Sequence, residues 1–265
     1  MKDMEDINIP VLTEAAFGKL YRGEDGLFEK YIRCQSVFPE LSVLNALLVV
    51  MQRPDAEELK TKAEWQQMGK KIHDNEEPVI ILEPSLEAKN AKDMAVKKEV
   101  FDISQVNMTF PAILRERVKP EILQEGLFSI CSVPMEKTLK LGSPAMYDRK
   151  KEIVYVRLAA SDPIDWLFGK TIAAVAEAFL YKKTLYSQDK TVQWMASVIS
   201  AMLMMHYNLQ SKDKEKVVML DILVNQSEEV FRKTFVDMKK VFYKFYLAFE
   251  RAKMDYENKT GQSPE

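Results

Sequence analysis

The sequence is poor in the residues that bind catalytic metals, since its 265 residues include only two histidines, His73 and His206. They lie far apart, and neither has a second histidine three or four residues away. Zinc enzymes usually bind their metal through three side chains drawn from His, Asp, Glu and Cys. We therefore expect no zinc hydrolase of the usual kind. We interpret His206 as a packed or helix-capping residue and His73 as a surface turn residue.

Cysteine, charge of one sign and long apolar runs are also scarce. Cys34 and Cys131 lie in apolar surroundings, which favours buried and reduced thiols in the cytosol. The formal net charge of −2 gives the chain no general attraction to nucleic acid or to an anionic membrane. No apolar run reaches the ~18 residues of a membrane span, and the acidic N-terminus does not resemble a signal peptide. We expect a cytoplasmic protein without membrane contact.

The residues that are present predict an α+β fold. The run "EPVIILEP" predicts a buried strand, and the alternation in "KEIVYVRLA" predicts a second strand. Ser42 is placed to cap a helix that Pro54 ends, because a serine hydroxyl accepts from a free amide of the first turn. Three longer helices are predicted towards the C-terminus, over residues 162–183, 191–208 and 217–256.

These elements divide the chain into four parts. We predict a small mixed α/β N-terminal domain, a connecting region, a mostly helical domain with a short β-hairpin, and a long C-terminal helix with its tail. Their ranges are 1–110, 111–140, 141–212 and 213–265.

The long C-terminal helix carries a regular apolar seam. Its large apolar residues recur at intervals of three, four and seven, as in a heptad pattern. They are Val224, Phe231, Phe235, Met238, Phe242, Phe245 and Phe249. The seam either packs on the chain's own core or serves for self-association or for binding a protein partner, and the pattern alone does not decide between them.

Two stretches go beyond periodicity. The first joins a helix, a tryptophan, a glycine and an isoleucine-rich strand ending in proline, and it resembles the N-terminal domain of ArdC-type antirestriction proteins. The resemblance implies a single-stranded-DNA-binding domain of the kind found on plasmids and conjugative elements. The residues that carry it are Asn45, Leu47, Leu48, Gln52, Pro54, Trp65, Gly69, Ile80, Ile81 and Pro84.

The second stretch, "GSPAMYDRKKEIVYVRLAASDPIDWLFGKTIAAVAEAF", resembles the zincin-like metallopeptidase half of the same family, with Gly142, Tyr147 and Asp148 before the strand. In the family, a helix with the motif His-Glu-x-x-His follows. Here Ala173, Ala174 and Glu177 stand at its His, Glu and His positions. Alanine offers no lone pair to a metal, and peptide hydrolysis of this kind needs two imidazoles and a carboxylate. We therefore expect a pseudoenzyme without metal or other cofactor.

The first half retains candidates for binding DNA, although it carries no basic surplus. Between positions 41 and 99 there are nine basic and eleven acidic residues. Single-strand binding uses Lys or Arg against phosphates and aromatic rings against bases, so Arg53, Trp65, Lys70 and Lys71 are the candidates. Trp65 either stacks on bases or anchors the core. Asn45 and Gln52 lie seven residues apart on one helix face, where they bind buried backbone groups or face a ligand.

The function that we predict from the sequence is non-catalytic. The chain is expected to be an ArdC-like protein associated with mobile or conjugative elements that binds single-stranded DNA. The alternative is a protein-interaction or assembly module, in which the Phe-rich C-terminal helix forms a homodimer or binds another protein.

Overall fold

The computed structural model describes residues 9–84, 95–107, 117–157, 162–183, 189–210, 223, 226–261 and 263. The chain divides into two compact units, Met1–Leu114 and Arg115–Glu265. The sequence predicts a connecting region, a helical domain and a C-terminal helix as separate parts. Their described residues from position 117 onwards all belong to the second unit. No helix in the described part of the chain is both long and apolar enough to cross a membrane.

The first unit combines α-helices with a three-stranded antiparallel sheet of order β1-β3-β2. A 3₁₀ helix over Glu24–Gly26 precedes the second α-helix, and another over Ile103–Gln105 follows the last strand. The main elements are α1 (Ile9–Tyr21), α2 (Leu27–Val37), α3 (Val43–Gln52), β1 (Leu59–Lys60), α4 (Lys62–Gln67), β2 (Val79–Pro84) and β3 (Ala95–Asp102).

Local sequence signals explain where the helices of this unit begin. The Ser42 hydroxyl accepts from the backbone N–H of Asn45 at 3.1 Å, which confirms the predicted cap of α3. At α4, the Thr61 hydroxyl accepts from the N–H of Glu64, and the Glu64 carboxylate accepts from the N–H of Thr61. This reciprocal arrangement satisfies two amide donors that a helix start leaves open.

Helix α3 closes the free edge of β2 with two side-chain carboxamides. Asn45 donates to the carbonyl of Leu82 at 2.8 Å and accepts from its N–H at 2.9 Å. Gln52 does the same with Ile80, at 2.9 Å in both directions. This confirms that the two amides bind backbone groups and do not face a ligand. Because β2 is an edge strand, the carboxamides occupy the positions where a fourth strand would pair.

The second unit combines α-helices with a mixed sheet of order β4-β6-β5, in which β4 is parallel and β5 antiparallel to the central strand β6. The pairing of β5 with β6 confirms the predicted hairpin. The described elements are α5 (Pro120–Ile130), β4 (Met135–Thr138), β5 (Ala145–Asp148), β6 (Ile153–Arg157), α6 (Ile164–Lys183), α7 (Asp189–His206) and α8 (Glu228–Thr260).

The last helix has other bounds than the sequence predicted. The expected range 217–256 is wrong at both ends, because Ser227 caps the N-terminus of α8 and the helix continues to Thr260. The Ser227 hydroxyl accepts from the N–H of Val230 at 3.4 Å. Gly261 ends the helix with φ 63°, a left-handed conformation that glycine adopts without steric cost.

The aromatic seam of α8 is part of the core of its own unit. Its described members from Phe231 to Phe249 are fully buried, and Phe235 and Phe249 pack against Trp194 and Phe168 on α7 and α6. Val224 lies outside the described residues. Self-association or partner binding through this seam is therefore wrong, because its rings are already covered by the same chain.

Helices α5 and α8 approach closely at Gly126. A Cβ atom at this position would lie 2.7 Å from the backbone oxygen of Ala248 and 2.9 Å from the Phe249 ring. Only a residue without a side chain fits between the two helices at this point.

Candidate functional site

Small residues bring α6 and α7 together where the resemblance places a zinc-binding helix. The Ser200 hydroxyl on α7 donates to the carbonyl of Gly169 on α6 at 2.7 Å. A Cβ at Gly169 would lie 2.1 Å from the sulfur of Met204, so that sulfur fills the space over the glycine. Further along α6, Ala174 and Ala176 are buried, and Ala173 is partly exposed. At positions 173, 174 and 176 the helix thus carries methyl groups, which offer no lone pair to a metal.

Of the three positions that the resemblance aligns with the zinc-binding motif, Glu177 alone has a polar side chain, and it is half-buried on α6. Burial raises the pKa of the Glu177 carboxyl, the hydrogen bond with Gln193 lowers it, and the negative charge of Asp189 raises it again, with a net increase. Gln193 and Asp189 both lie on α7. The carboxyl group is thus held by a neutral amide in a poorly hydrated position, which disfavours its ionised form.

Aromatic and charged side chains surround Glu177. Tyr181 donates to a carboxylate oxygen of Asp189 at 2.8 Å, and Arg149 donates to the same oxygen at 2.7 Å. The Arg149 guanidinium also lies 4.4 Å from the centre of the Tyr181 ring. The Tyr147 ring on β5 lies 6.0 Å from that of Tyr181. We call Tyr147, Arg149, Glu177, Tyr181, Asp189 and Gln193 the α6 polar cluster.

The phenol groups of the α6 polar cluster stay protonated well beyond neutral pH. Burial is the main cause that raises the pKa of Tyr181, and its hydrogen bond to Asp189 adds to the effect. Burial also raises the pKa of Tyr147, followed by the charges of Glu152 and Glu177. Neutral phenols and a carboxyl group with a raised pKa give the cluster little capacity to act as a set of anionic ligands.

The α6 polar cluster does not fit a catalytic metal ion. Glu177 and Asp189 are its only carboxylates, and Asp189 already accepts from Tyr181 and Arg149. Across the described ranges, no group of three or more His, Cys, Asp and Glu side chains is arranged to hold a metal. His206 packs edge-on against Tyr207 and Tyr246, so the interpretation of a packed histidine is confirmed.

The raised pKa of Glu177 predicts a pH-dependent gain in stability on its removal. A carboxyl group with a raised pKa in the folded state contributes stability that is lost as pH rises from its ordinary value of 4.5 through the raised value. Glu177→Gln should match the wild type at pH 4 and have a higher free energy of unfolding above neutral pH. Urea unfolding at both pH values measures this difference. Glu136→Gln, an exposed carboxylate on β4, is the control, and an equal response of both variants would contradict the prediction.

Trp65 has no ring face available to a base, so its place among the DNA-binding candidates is wrong. It is fully buried with Phe101, Ile103 and Val106. Its indole N–H donates to the carbonyl of Phe101 at 2.9 Å. A buried tryptophan whose N–H is satisfied is a core anchor.

The Arg53 side chain also makes its polar contacts within its own unit. Its guanidinium donates to the Ser104 hydroxyl at 3.0 and 3.2 Å and lies 3.6 Å from Glu76 and 3.9 Å from Asp102. Asp102 is buried and accepts from the backbone N–H groups of two residues before β1 and from the N–H of Ser104. The nearby carboxylates compensate the charge of Arg53, which leaves it a weak candidate for binding phosphate.

Lys70 and Lys71 lie apart from this network, in the turn after α4. Trp65 holds the turn by accepting from the N–H of Lys70 at 2.9 Å, and the carbonyl of Lys71 accepts from the N–H of Asn107 at 2.8 Å. Lys70 is partly exposed, and the Lys71 side chain is 79% exposed, 3.5 Å from the similarly exposed Asp74. We call residues 68–73 the α4 loop. It presents two lysines to solvent, and His73 is exposed as expected.

Several residues of these sites could not be recognised as site residues from the sequence. Asp189 was missed because the predicted helix began at Thr191, whereas α7 begins at Asp189. Arg149 and Tyr181 lie on different elements, and no sequence spacing connects them. Gln105, which accepts from the N–H of Asp102 and donates to Glu76, was likewise not singled out. Cys131, expected to be buried, is only partly so.

Comparison with known proteins identifies the fold. No family model matches the sequence, and no curated protein matches it with statistical significance. Two crystal structures of the antirestriction protein ArdC from plasmid R388 are similar over nearly their whole length. The Mn(II)-bound form has a TM-score of 0.58 at 11% identity, covering 92% of this chain and 97% of that one. The metal-free form has a TM-score of 0.54 at 12% identity, covering 93% and 98%. The chain therefore has an ArdC-type fold, as the sequence resemblance predicts.

Proposed function

We propose that this chain, which has the fold of an antirestriction protein, is a non-catalytic protein that binds single-stranded DNA. The observation that carries the non-catalytic part is the packed interface between α6 and α7. At that interface Glu177 on α6 is hydrogen-bonded with Gln193 on α7, and elsewhere on α6 Ala174 and Ala176 are buried. The similar ArdC chain binds Mn(II) in one of its crystal structures, whereas the α6 polar cluster offers two carboxylates, one of which is already bonded.

Metal content tests the non-catalytic part directly. The purified protein is expected to hold no stoichiometric manganese or zinc by elemental analysis, and titration with Mn(II) should give no saturable heat of binding. The expected reason is that two alanines replace donor atoms on α6. A saturable one-to-one Mn(II) site that Glu177→Ala removes would overturn this part of the proposal.

DNA binding rests on the α4 loop and on the fold. Flexible lysine side chains bind phosphates as point charges, and the loop displays Lys70 and Lys71 on a backbone that is hydrogen-bonded to Trp65 and Asn107. The fold is that of a protein described as antirestriction and carried by a plasmid. We propose a corresponding role for this chain in the cytoplasm, on single-stranded DNA that mobile elements expose.

Fluorescence anisotropy with a labelled single-stranded oligonucleotide tests this part at several salt concentrations. Lys70→Ala/Lys71→Ala should weaken binding and reduce the dependence of log Kd on log salt by about 1.4, or about 0.7 for each phosphate that is no longer neutralised. Lys19→Ala/Lys30→Ala, on α1 and α2, removes the same charge elsewhere on the first unit. Binding that is absent at high micromolar protein, or an equal weakening in both variants, would contradict the role of the loop.

A further inference from the structure

The outward face of α8 carries a second heptad pattern, opposite its buried aromatic seam. Val236, Leu247 and Met254 are 39%, 50% and 54% exposed, and Tyr243 on the same face is partly exposed. Val236 and Tyr243 are seven residues apart, as are Leu247 and Met254, and Leu247 follows Tyr243 by four residues. This spacing is that of d and a positions in a heptad. Apolar residues that recur at heptad spacing on one exposed helix face are the pattern of a helix–helix contact.

Charged residues extend the same two rows in both directions. Lys233 and Lys240 continue the a row before Leu247, and Glu250 and Glu257 continue the d row after Tyr243. Lys233, Lys240 and Glu257 are exposed, and Lys240 lies 3.4 Å from Asp237. The Glu250 side chain is 29% exposed beside Lys253 and also accepts from the Tyr207 hydroxyl at 3.0 Å, so Lys233 and Glu257 are the more available pair. The first half of this surface is therefore basic and the second half acidic. We call the eight residues the outer seam of α8.

The order of residues in the outer seam is complementary to itself when reversed. Positions 243 and 247 are equidistant from position 245, and so are 236 and 254. An antiparallel second copy thus sets Tyr243 against Leu247 and Val236 against Met254. The charged positions follow the same rule, because 240 pairs with 250 and 233 pairs with 257. Every layer then joins either two apolar residues or a lysine and a glutamate.

We infer that two copies of this chain associate through the outer seam of α8 as an antiparallel, two-fold symmetric helix pair. Such an interface is isologous, since one surface patch meets an identical patch. A parallel pair is disfavoured because it would set each charged residue against its own copy. Four layers would then bring like charges together, which is destabilising. This inference is independent of DNA binding and of the α6 polar cluster.

Sedimentation velocity of the full chain over a range of concentrations tests the inference. The wild type is expected to shift from monomer to dimer as concentration rises. Leu247→Glu should raise the dissociation constant at least tenfold, because two-fold symmetry introduces the buried charge twice. Leu139→Glu is the matched control, since Leu139 is 79% exposed on a different segment of the same unit. Circular dichroism verifies that both variants remain folded.

Charge exchange tests the antiparallel arrangement. Lys233→Glu and Glu257→Lys should each weaken the dimer, whereas the double variant, or an equimolar mixture of the two single variants, should restore it. A wild type that remains monomeric up to about 0.3 mM, a weak-affinity concentration range, would overturn the inference. A dimer insensitive to Leu247→Glu, or one that charge exchange does not restore, would overturn it equally.

Discussion

Replacing Gly126 with alanine is expected to destabilise the second unit by about 2 kcal/mol, although alanine is the better helix former by ~1 kcal/mol. The added methyl group would lie 2.7 Å from the backbone oxygen of Ala248 and 2.9 Å from the Phe249 ring. Neither neighbour can move as a flexible side chain can, because one is main chain of α8 and the other is a fully buried ring. The two helices must therefore separate, and the core between them packs less tightly.

Chemical denaturation measures this loss of stability. A larger side chain at position 126 should increase the loss. Gly126→Val should cost more than Gly126→Ala, because a branched side chain separates the helices further. Gly142→Ala is the matched control, since nothing lies within 4 Å of a Cβ atom built there. Equal stability of Gly126→Ala and Gly142→Ala would show that α5 and α8 do not approach as closely as described.

The double substitution Asn45→Leu/Gln52→Leu is expected to destabilise the first unit by about 4 kcal/mol. It leaves the N–H and carbonyl groups of Ile80 and Leu82 without their partners, and each buried polar group left unpaired costs about 1–3 kcal/mol. We take the lower end of this range because the hydrogen bonds are only partly buried. Leucine is at least as good a helix former as asparagine or glutamine, so a loss of stability does not come from helix propensity.

The same variant should also aggregate more readily, because it opens the edge of β2 to pairing with another strand. Equilibrium unfolding gives the stability change, and light scattering during refolding gives the aggregation. Gln66→Leu/Gln67→Leu replaces two exposed amides on α4 and serves as the control. If both double variants are destabilised equally, the carboxamides do not complete the sheet edge in the way we describe.

Local features of the fold were predictable from the sequence because their causes are local. Ser42 precedes an apolar helix, and the run around Ile80 and Ile81 lies between two prolines, so cap and strand follow from neighbouring residues. The start of α8 was not predictable in this way. Ser227 caps it, but the apolar positions upstream continue the same spacing and conceal the boundary.

The candidate sites were predictable only in part, because accessibility depends on tertiary contacts. Trp65 beside two lysines has the composition of a single-strand binding surface, yet β3 and the segment after it bury its ring. Arg53 is compensated by Glu76 and Asp102, which lie far from it in sequence. The α6 polar cluster likewise joins side chains from two helices, a strand and a turn, which no spacing rule connects.

The amides of Asn45 and Gln52 restrict the angle at which α3 can cross β2. Seven residues of α3 span about 10.5 Å, whereas Ile80 and Leu82 are about 6.7 Å apart along β2. Both amides can therefore reach their partners only at restricted inclinations of the helix to the strand. A one-residue slip of β2 would offer them groups that point towards β3. Two side chains thus set the alignment of α3 with the sheet.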